Sequence, residues 1–272
     1  MKGRAGNVAE LIPNALALLA AMAVLWVISI GLGKVSFVDS VWGFSMATLA
    51  ALSLWRADEP GTVAFLLCGM TVLWGVRLGI HLLRRFLGGG EDSRYRKILP
   101  DPDNRVKYAL TALWKVWLLQ AVLIMLVSSP AQLGILRAGA EASIGLLMIA
   151  GLMLYLVGLF FEWVGDWQLA RFKADPANDG EVMNQGLWRY TRHPNYFGDA
   201  CVWWGIWLVV AGVDFTTALW TVAGPVFLTF TLVKWSGAAM TEDGMRDKYG
   251  DEFKRYVERT SAFIPMPPSK GS

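Results

Sequence analysis

The segment GLWRYTRHPNYFGD, residues 186–199, concentrates Arg189, Tyr190, Thr191, Arg192, His193, Asn195, Tyr196 and Asp199 in one short stretch. A residue before proline is pushed out of the α region, so His193-Pro194 predicts an extended kink immediately before a helix. Asn195 and Tyr196 then fall at that helix's N-terminus, where backbone N–H groups and the helix dipole favour an anion. Arg189 and Arg192 beside it suit a phosphate or carboxylate, although Arg and Tyr also serve as ordinary headgroup anchors. Upstream, in GLFFEWVGDWQLARF, Glu162 and Asp166 are four residues apart and share one helical face. Two acids at that spacing repel unless a cation or a hydroxyl-rich ligand lies between them; the alternative is that they balance basic loop residues. Gly151, Gly158 and Gly165 let a neighbour or ligand approach the same helix. In WGVRLGIHLLRR, Arg77 and His81 are one turn apart, followed by Arg84 and Arg85 as positive anchors at a membrane edge. His81 is either a packed histidine or an acid. Asp39, in FVDSVWGF, is an N-cap, an interface acid or a catalytic group.

The elements that carry these residues read as membrane helices. Of 272 residues, 55% are hydrophobic and 17% charged, and mean hydropathy is +0.42. Soluble domains carry about a quarter charged residues, so the balance is that of a chain in lipid. Apolar stretches near 11–32, 38–55, 62–83, 110–128, 142–166, 198–213 and 217–235 predict an all-α integral membrane fold of seven transmembrane helices. The first is too long for the core of a signal peptide, despite Lys2 and Arg4 before it. With the N-terminus outside, inside segments carry nineteen Lys and Arg, seven of them from Lys234 onward. Outside segments carry only Lys2, Arg4, Arg56 and Arg137, while Arg77 and Lys115 lie within spans. This asymmetry predicts a cytoplasmic C-terminus and chemistry facing the cytosol.

Several classes are excluded. A net charge of +3 is too small for a nucleic-acid binder. Cys68 and Cys201 lie in apolar runs, which rules out a disulfide scaffold or thiolate cluster, and two histidines leave no metal site. There is no phosphate-binding glycine loop. The 84–109 loop opens with Gly88-Gly89-Gly90, read as a flexible exit from the third span, and 167–197 reads as amphipathic and loop-like. EDGMRDKYGDEFKRYVER, from Glu242, reads as a cytoplasmic helix ending at FIPMPP. No repeat divides the chain, so residues 1–272 form a single integral domain with a motif-rich half at about 142–265.

RYTRHPNYFGD, preceded by FEWVGDWQL and followed by a tail helix ending in Tyr256 and FIP, resembles the steroid 5-alpha-reductase C-terminal domain superfamily. The resemblance is strongest to its bacterial branch catalogued as the DUF1295 family. It runs from FVDSVWGF through WGVRLGIHL, EDSRY and the His-Pro-Asn cluster to RTSAFIP. It implies a seven-helix inner-membrane enzyme that uses NADPH, on the cytoplasmic side, to reduce a carbon-carbon double bond conjugated to a carbonyl. The substrate would be a lipophilic, steroid-like molecule drawn from the bilayer, with membrane lipids around the protein. Carried over by position, the dinucleotide would meet Glu162, which stands where the steroid reductases have Asn, and Asp166. Arg171 or Lys173 would meet its phosphates, with Arg189 and Arg192 sharing that work. Asn195 matches the Asn near the nicotinamide amide, Asp199 takes the place of a Glu, and Tyr256 matches a cofactor Tyr; His193 occurs in the sterol reductase branches. Tyr196 belongs to the same cluster. Steroid reductases polarise the carbonyl with a Glu and a Tyr; here Trp74 holds the Tyr position and no Gln-Glu pair occurs in the second span. Asp39, His81 and Tyr95 are the substitutes within reach.

The same Arg-His-Pro-x-Tyr signature is similar to isoprenylcysteine and phospholipid methyltransferases, which bind S-adenosylmethionine and carry paired tail glutamates where this chain has Glu242-Asp243. A non-catalytic component such as a transporter is a third reading. Inverted repeats with broken helices would favour it, and the sequence shows none.

Overall fold

The computed structural model describes residues 8–89, 91–142, 144–235 and 238–269. Lys2, Arg4, Gly90 and Lys270, which enter the charge and hinge expectations, lie outside the described residues. The described residues are helical and contain no strand. In order, the helices are α1 (Ile12–Leu32), α2 (Val38–Arg56), α3 (Thr62–Gly89), α4 (Ser93–Ile98), α5 (Arg105–Ala112), α6 (Leu119–Arg137), α7 (Leu146–Ala174), α8 (Pro194–Val213), α9 (Phe215–Thr221), α10 (Ala223–Phe230) and α11 (Ala238–Arg259). π-helical turns at Leu113–Leu118 and Thr231–Trp235 continue α5 into α6 and extend α10.

Six stretches are long and apolar enough to cross a membrane: Ala9–Leu32, Thr62–Gly89, Arg105–Arg137, Leu146–Ala174, Pro194–Val213 and Phe215–Arg259. In the last of these the apolar run ends at Trp235, and α11 beyond it is polar. The second expected span is present as helix α2 but is not among the six, because Asp39, Arg56 and several serines dilute its apolar surface. Helices also outrun the expected spans. α3 continues through Gly89, and α7 continues to Ala174 through residues expected to be loop. The stretch QLARFKA is made of strong helix formers, so the helix persists beyond the apolar limit until Asp175-Pro176 stops it.

The chain divides into two compact units with interleaved segments: residues 1–148 with 209–224, and 149–208 with 225–272. In the first, α2 and α3 cross with their backbones in contact. A Cβ built on Gly43 would lie 2.3 Å from the Gly75 carbonyl oxygen, and one on Gly75 would lie 2.4 Å from that of Gly43. α1 buries a single stripe (Asn14, Leu18, Met22 and Ser29) and leaves Leu16, Val24 and Val27 exposed, as suits a lipid-facing helix. Asn14 ties α1 to its neighbours, donating to Ser53 Oγ at 2.8 Å and Gln132 Oε1 at 2.7 Å and accepting from Arg56 at 2.7 Å. Such polar contacts hold helices together where the hydrophobic effect gives no preference.

In the second unit the glycines every seventh residue on α7 meet glycines of the same spacing on α8. A Cβ on Gly158 would lie 2.7 Å from the Gly198 carbonyl, one on Gly198 would lie 2.5 Å from the Glu162 amide, and one on Gly205 would lie 2.6 Å from the Gly151 carbonyl. The expected neighbour of the α7 glycines is therefore α8. This backbone contact sets Glu162 and Asp166 against the first turns of α8.

Candidate functional site

In the second unit, α7 presents Glu162, 1% exposed, and Asp166, 8% exposed. Asn195, in the first turn of α8, donates from Nδ2 to Asp166 Oδ1 at 3.0 Å, while its own Oδ1 accepts from the Tyr196 amide at 3.1 Å. Asp199 follows one turn later on α8, partly buried. The carboxylate of Asp166 thus sits at the positive end of α8, with the Asn195 amide between them.

The loop before α8 is fixed on two sides. Trp188 Nε1 donates to the Gly165 carbonyl at 3.0 Å, and the Leu187 amide donates to Gln168 Oε1 at 2.9 Å, which ties the loop to α7. The stretch after α11 runs back along it: the Arg192 amide donates to Ser261 O at 2.9 Å, Met266 N to Tyr190 O at 2.9 Å, and Thr191 Oγ1 to Phe263 O at 2.8 Å.

Arg192 is held by several protein acceptors. Its guanidinium pairs with Glu242 on α11 at 2.8 and 3.2 Å and donates to the Val257 and Thr260 carbonyls at 3.3 and 2.7 Å. These are the donors that the resemblance assigns to phosphates. His193, 3% exposed, places Nε2 3.0 Å from Glu242 Oε1 and stacks on Tyr196 with ring centroids 5.2 Å apart. Burial alone would raise the Glu242 carboxyl, but hydrogen bonds and charge from His193 and Arg192 outweigh it and hold the group at about 2. The Tyr256 hydroxyl donates to the Trp188 carbonyl, and its ring packs with Phe253 and Val182. Arg171 lies over the Trp167 ring at 5.6 Å, and Arg171, Lys173 and Arg189 are all exposed.

In the first unit, Asp39 and Tyr95 come together. The Tyr95 hydroxyl donates to Asp39 Oδ1 at 2.7 Å, and Arg94 and Arg85 donate to Oδ2 at 2.6 and 3.3 Å. Asp92 caps α4 by accepting from the Arg94 amide at 2.9 Å, and its own amide donates to Ser36 Oγ at 2.7 Å. Asp39 therefore accepts from two guanidinium groups and the Tyr95 hydroxyl. Burial, together with the charge and hydrogen bond of Asp39, pushes the Tyr95 hydroxyl up, so its proton is committed to Asp39. His81 lies on α3, partly buried, one turn before Arg85. The described residues hold no group of three or more His, Cys, Asp or Glu arranged to bind a metal ion.

A family model described as a protein of unknown function (DUF1295) matches residues 25–260. The chain belongs to the DUF1295 family. Over 268 residues it is 24% identical to the uncharacterized protein C594.04c of Schizosaccharomyces pombe, covering 89% of this chain and 76% of that protein. No solved structure gives a significant match. The matched region of this DUF1295 chain takes in both the Asp39 cluster and the Asp166–Asn195 pair, and it ends at Thr260, beside the pairing that closes the second unit.

Residue types alone do not disclose Glu242, Thr260 and Trp188, which hold this site together. Glu242 is in the sequence as half of an acidic pair, but its partners lie about 50 residues away. Only the heptad glycines hinted at how closely α7 and α8 approach.

Proposed function

We propose that this DUF1295 chain is a membrane-embedded, NADPH-dependent reductase of a carbon-carbon double bond conjugated to a carbonyl in a lipophilic, steroid-like substrate. The supporting observation is the Asp166–Asn195 pair, a buried carboxylate and a carboxamide fixed side by side by a glycine-lined helix crossing. The donor set suits a dinucleotide. Asp166 accepts from hydroxyls, Asn195 can exchange hydrogen bonds with a carboxamide, and exposed Arg171 and Lys173 one to two turns further along α7 suit phosphates. Held by these residues, NADPH would supply hydride chemistry to the conjugated double bond. The chain's own work is to orient the ring through Asn195, to keep water from the buried carboxylates, and to place a hydrogen-bond donor on the substrate carbonyl. Asp39, His81 and Tyr95, the residues within reach of that role by the resemblance, are our candidates for that donor. The proposal includes seven spans with α2 as the seventh, the N-terminus outside, and the cofactor site on the cytoplasmic face of a bacterial inner membrane.

One observation favours the methyltransferase reading: Arg192, His193 and the tail Glu242, all part of that family's signature, meet in one cluster. Here they form an ion pair and hydrogen bonds that close on themselves, which suits a structural tie better than a ligand contact. Thermal unfolding of the detergent-solubilised protein with NADPH, NADH and S-adenosylmethionine separates the readings. A ligand at 100 times its dissociation constant stabilises by about 2.7 kcal/mol. We expect a shift with NADPH that is lost in Asp166→Asn. A shift with S-adenosylmethionine alone would replace the reductase reading with the methyltransferase one.

A further inference from the structure

Arg189, Arg255 and Arg259 line one groove of about 760 Å³ in the second unit, together with Asn184, Gln185 and Glu252. Among the described residues none of the three arginines makes an ion pair. Arg255 and Arg259 are one turn apart on α11, a spacing at which like charges repel. The single carboxylate in the lining, Glu252, already accepts the Val182 amide at 2.9 Å. The groove therefore carries a concentrated positive charge that the protein leaves unbalanced.

Its walls are fixed. Gly186 turns the chain with φ of 57°, and the short helical turn Gly186–Arg189 that follows presents Arg189. Tyr256 holds that turn by donating to the Trp188 carbonyl. On the opposite wall, the Ser269 amide donates to the Arg259 carbonyl at 3.0 Å and Ser269 Oγ to that of Glu258 at 3.1 Å. The arginines thus stand on backbone that hydrogen bonds hold in place before any ligand arrives, which lowers the ordering cost of binding.

We propose that this groove is a binding site for a phosphorylated ligand, with Arg189, Arg255 and Arg259 gripping its phosphate oxygens. Guanidinium forks match phosphate geometry, and three of them exceed what one carboxylate would neutralise. The volume falls in the range of ligand sites, so the phosphate comes with an attached body. The groove lining does not include Asp166 or Asn195, and Arg255 and Arg259 have no part in the reductase reading; Arg189 is the one residue shared with it. The ligand of the groove is either a soluble phosphate ester or diphosphate, or the phosphomonoester headgroup of a lipid.

The test uses the full-length protein in phosphatidylcholine nanodiscs, titrated with inorganic pyrophosphate by calorimetry. Arg255→Gln/Arg259→Gln and Arg189→Gln should each weaken binding at least about tenfold, and binding to the unaltered protein should weaken as salt rises. Native mass spectrometry of protein from nanodiscs containing phosphatidic acid separates the two sources. Arginine-dependent retention of that lipid, with pyrophosphate displaced, identifies a headgroup site; pyrophosphate binding unaffected by the lipid identifies a soluble ligand. Thiol labelling of the buried Cys201 checks that the variants stay folded. Should the double variant expose it, Arg189→Gln, a single change at an exposed side chain, carries the test. The proposal is overturned if both variants bind pyrophosphate as the unaltered protein does, or if neither probe binds at all. Stabilisation by NADPH, measured in Arg255→Gln/Arg259→Gln, whose arginines the reductase reading does not use, reports on that reading independently of the pyrophosphate result.

Discussion

Replacing Glu242 with Gln keeps the volume of the side chain but removes the charge that Arg192 and His193 share at 2.8 and 3.0 Å. The loss can be estimated in two ways. The carboxyl is held at about 2 against its ordinary 4.5, and at 1.36 kcal/mol per unit that difference is worth about 3 kcal/mol. Removing one partner of a buried ion pair costs about 3–5 kcal/mol by a separate route, since Arg192 keeps its charge without a counter-ion. Each unit holds one buried cysteine, Cys68 in the first and Cys201 in the second, and neither is in a disulfide. Pulsed labelling with a small permeant maleimide therefore reports on the units separately. A loss of about 3 kcal/mol should raise the rate of Cys201 labelling by about two orders of magnitude, while Cys68 labelling stays within a few-fold. Unchanged Cys201 labelling would show that the Glu242 pair contributes nothing to the second unit. An equal rise at both cysteines would refute the idea that its effect is confined there.

The same group sets a pH signature. Its folded-state pKa lies below its unfolded one, so its stabilisation is complete above about 4.5 and fades as pH falls toward about 2. The stability difference between wild type and Glu242→Gln, followed by circular dichroism, should shrink across that window; a constant difference would exclude titration of Glu242 as its source. Gly198→Val should destabilise by at least about 1–3 kcal/mol, because even a Cβ would sit 2.5 Å from the Glu162 amide. Gly69→Ala, where nothing lies within 4 Å, should be tolerated, and equal Tm losses for the two changes would deny a close α7–α8 crossing. Tyr95→Phe should cost about 1–2 kcal/mol through its bond to Asp39 and raise Cys68 labelling. If Cys68 labelling is unchanged but turnover is lost, Tyr95 is catalytic instead. His81→Gln should lower kcat on a lipophilic enone while leaving the NADPH-induced Tm shift in place; loss of both would assign His81 to packing.

What the sequence disclosed divides along physical lines. Apolar runs report where lipid begins and ends, so the six stretches long and apolar enough to cross a membrane were legible, but not where α7 stops. Gln168, Arg171 and Lys173 are polar and still helical, and hydropathy does not register helix propensity. Asp166 and Asn195 were both visible as chemically active residues. That Asn195 would bond to Asp166 depends on a helix crossing that no local pattern encodes. The contacts of Arg192 were hidden for the same reason. Its type fits a phosphate equally well as a carboxylate, and the carboxylate that it meets, Glu242, lies 50 residues away. Arg255 and Arg259 lay in a charged helix whose surface reads as ordinary solvated polarity until the fold folds Arg189 against it.

The backbone pairing between residues 190–192 and 261–266 has a bearing on how the protein is made. During synthesis α7 and α8 leave the ribosome well before Glu242, Ser261 and Phe263 exist as part of the chain. The two helices can enter the bilayer and join along their glycines at once, since that contact is local. Arg192 and His193, however, must wait in water at the membrane surface for their partners. The second unit thus matures late, by a docking step after insertion. A nascent chain halted before residue 266 would present an inserted but open form, and in a cell that form would be the natural target for quality-control proteases.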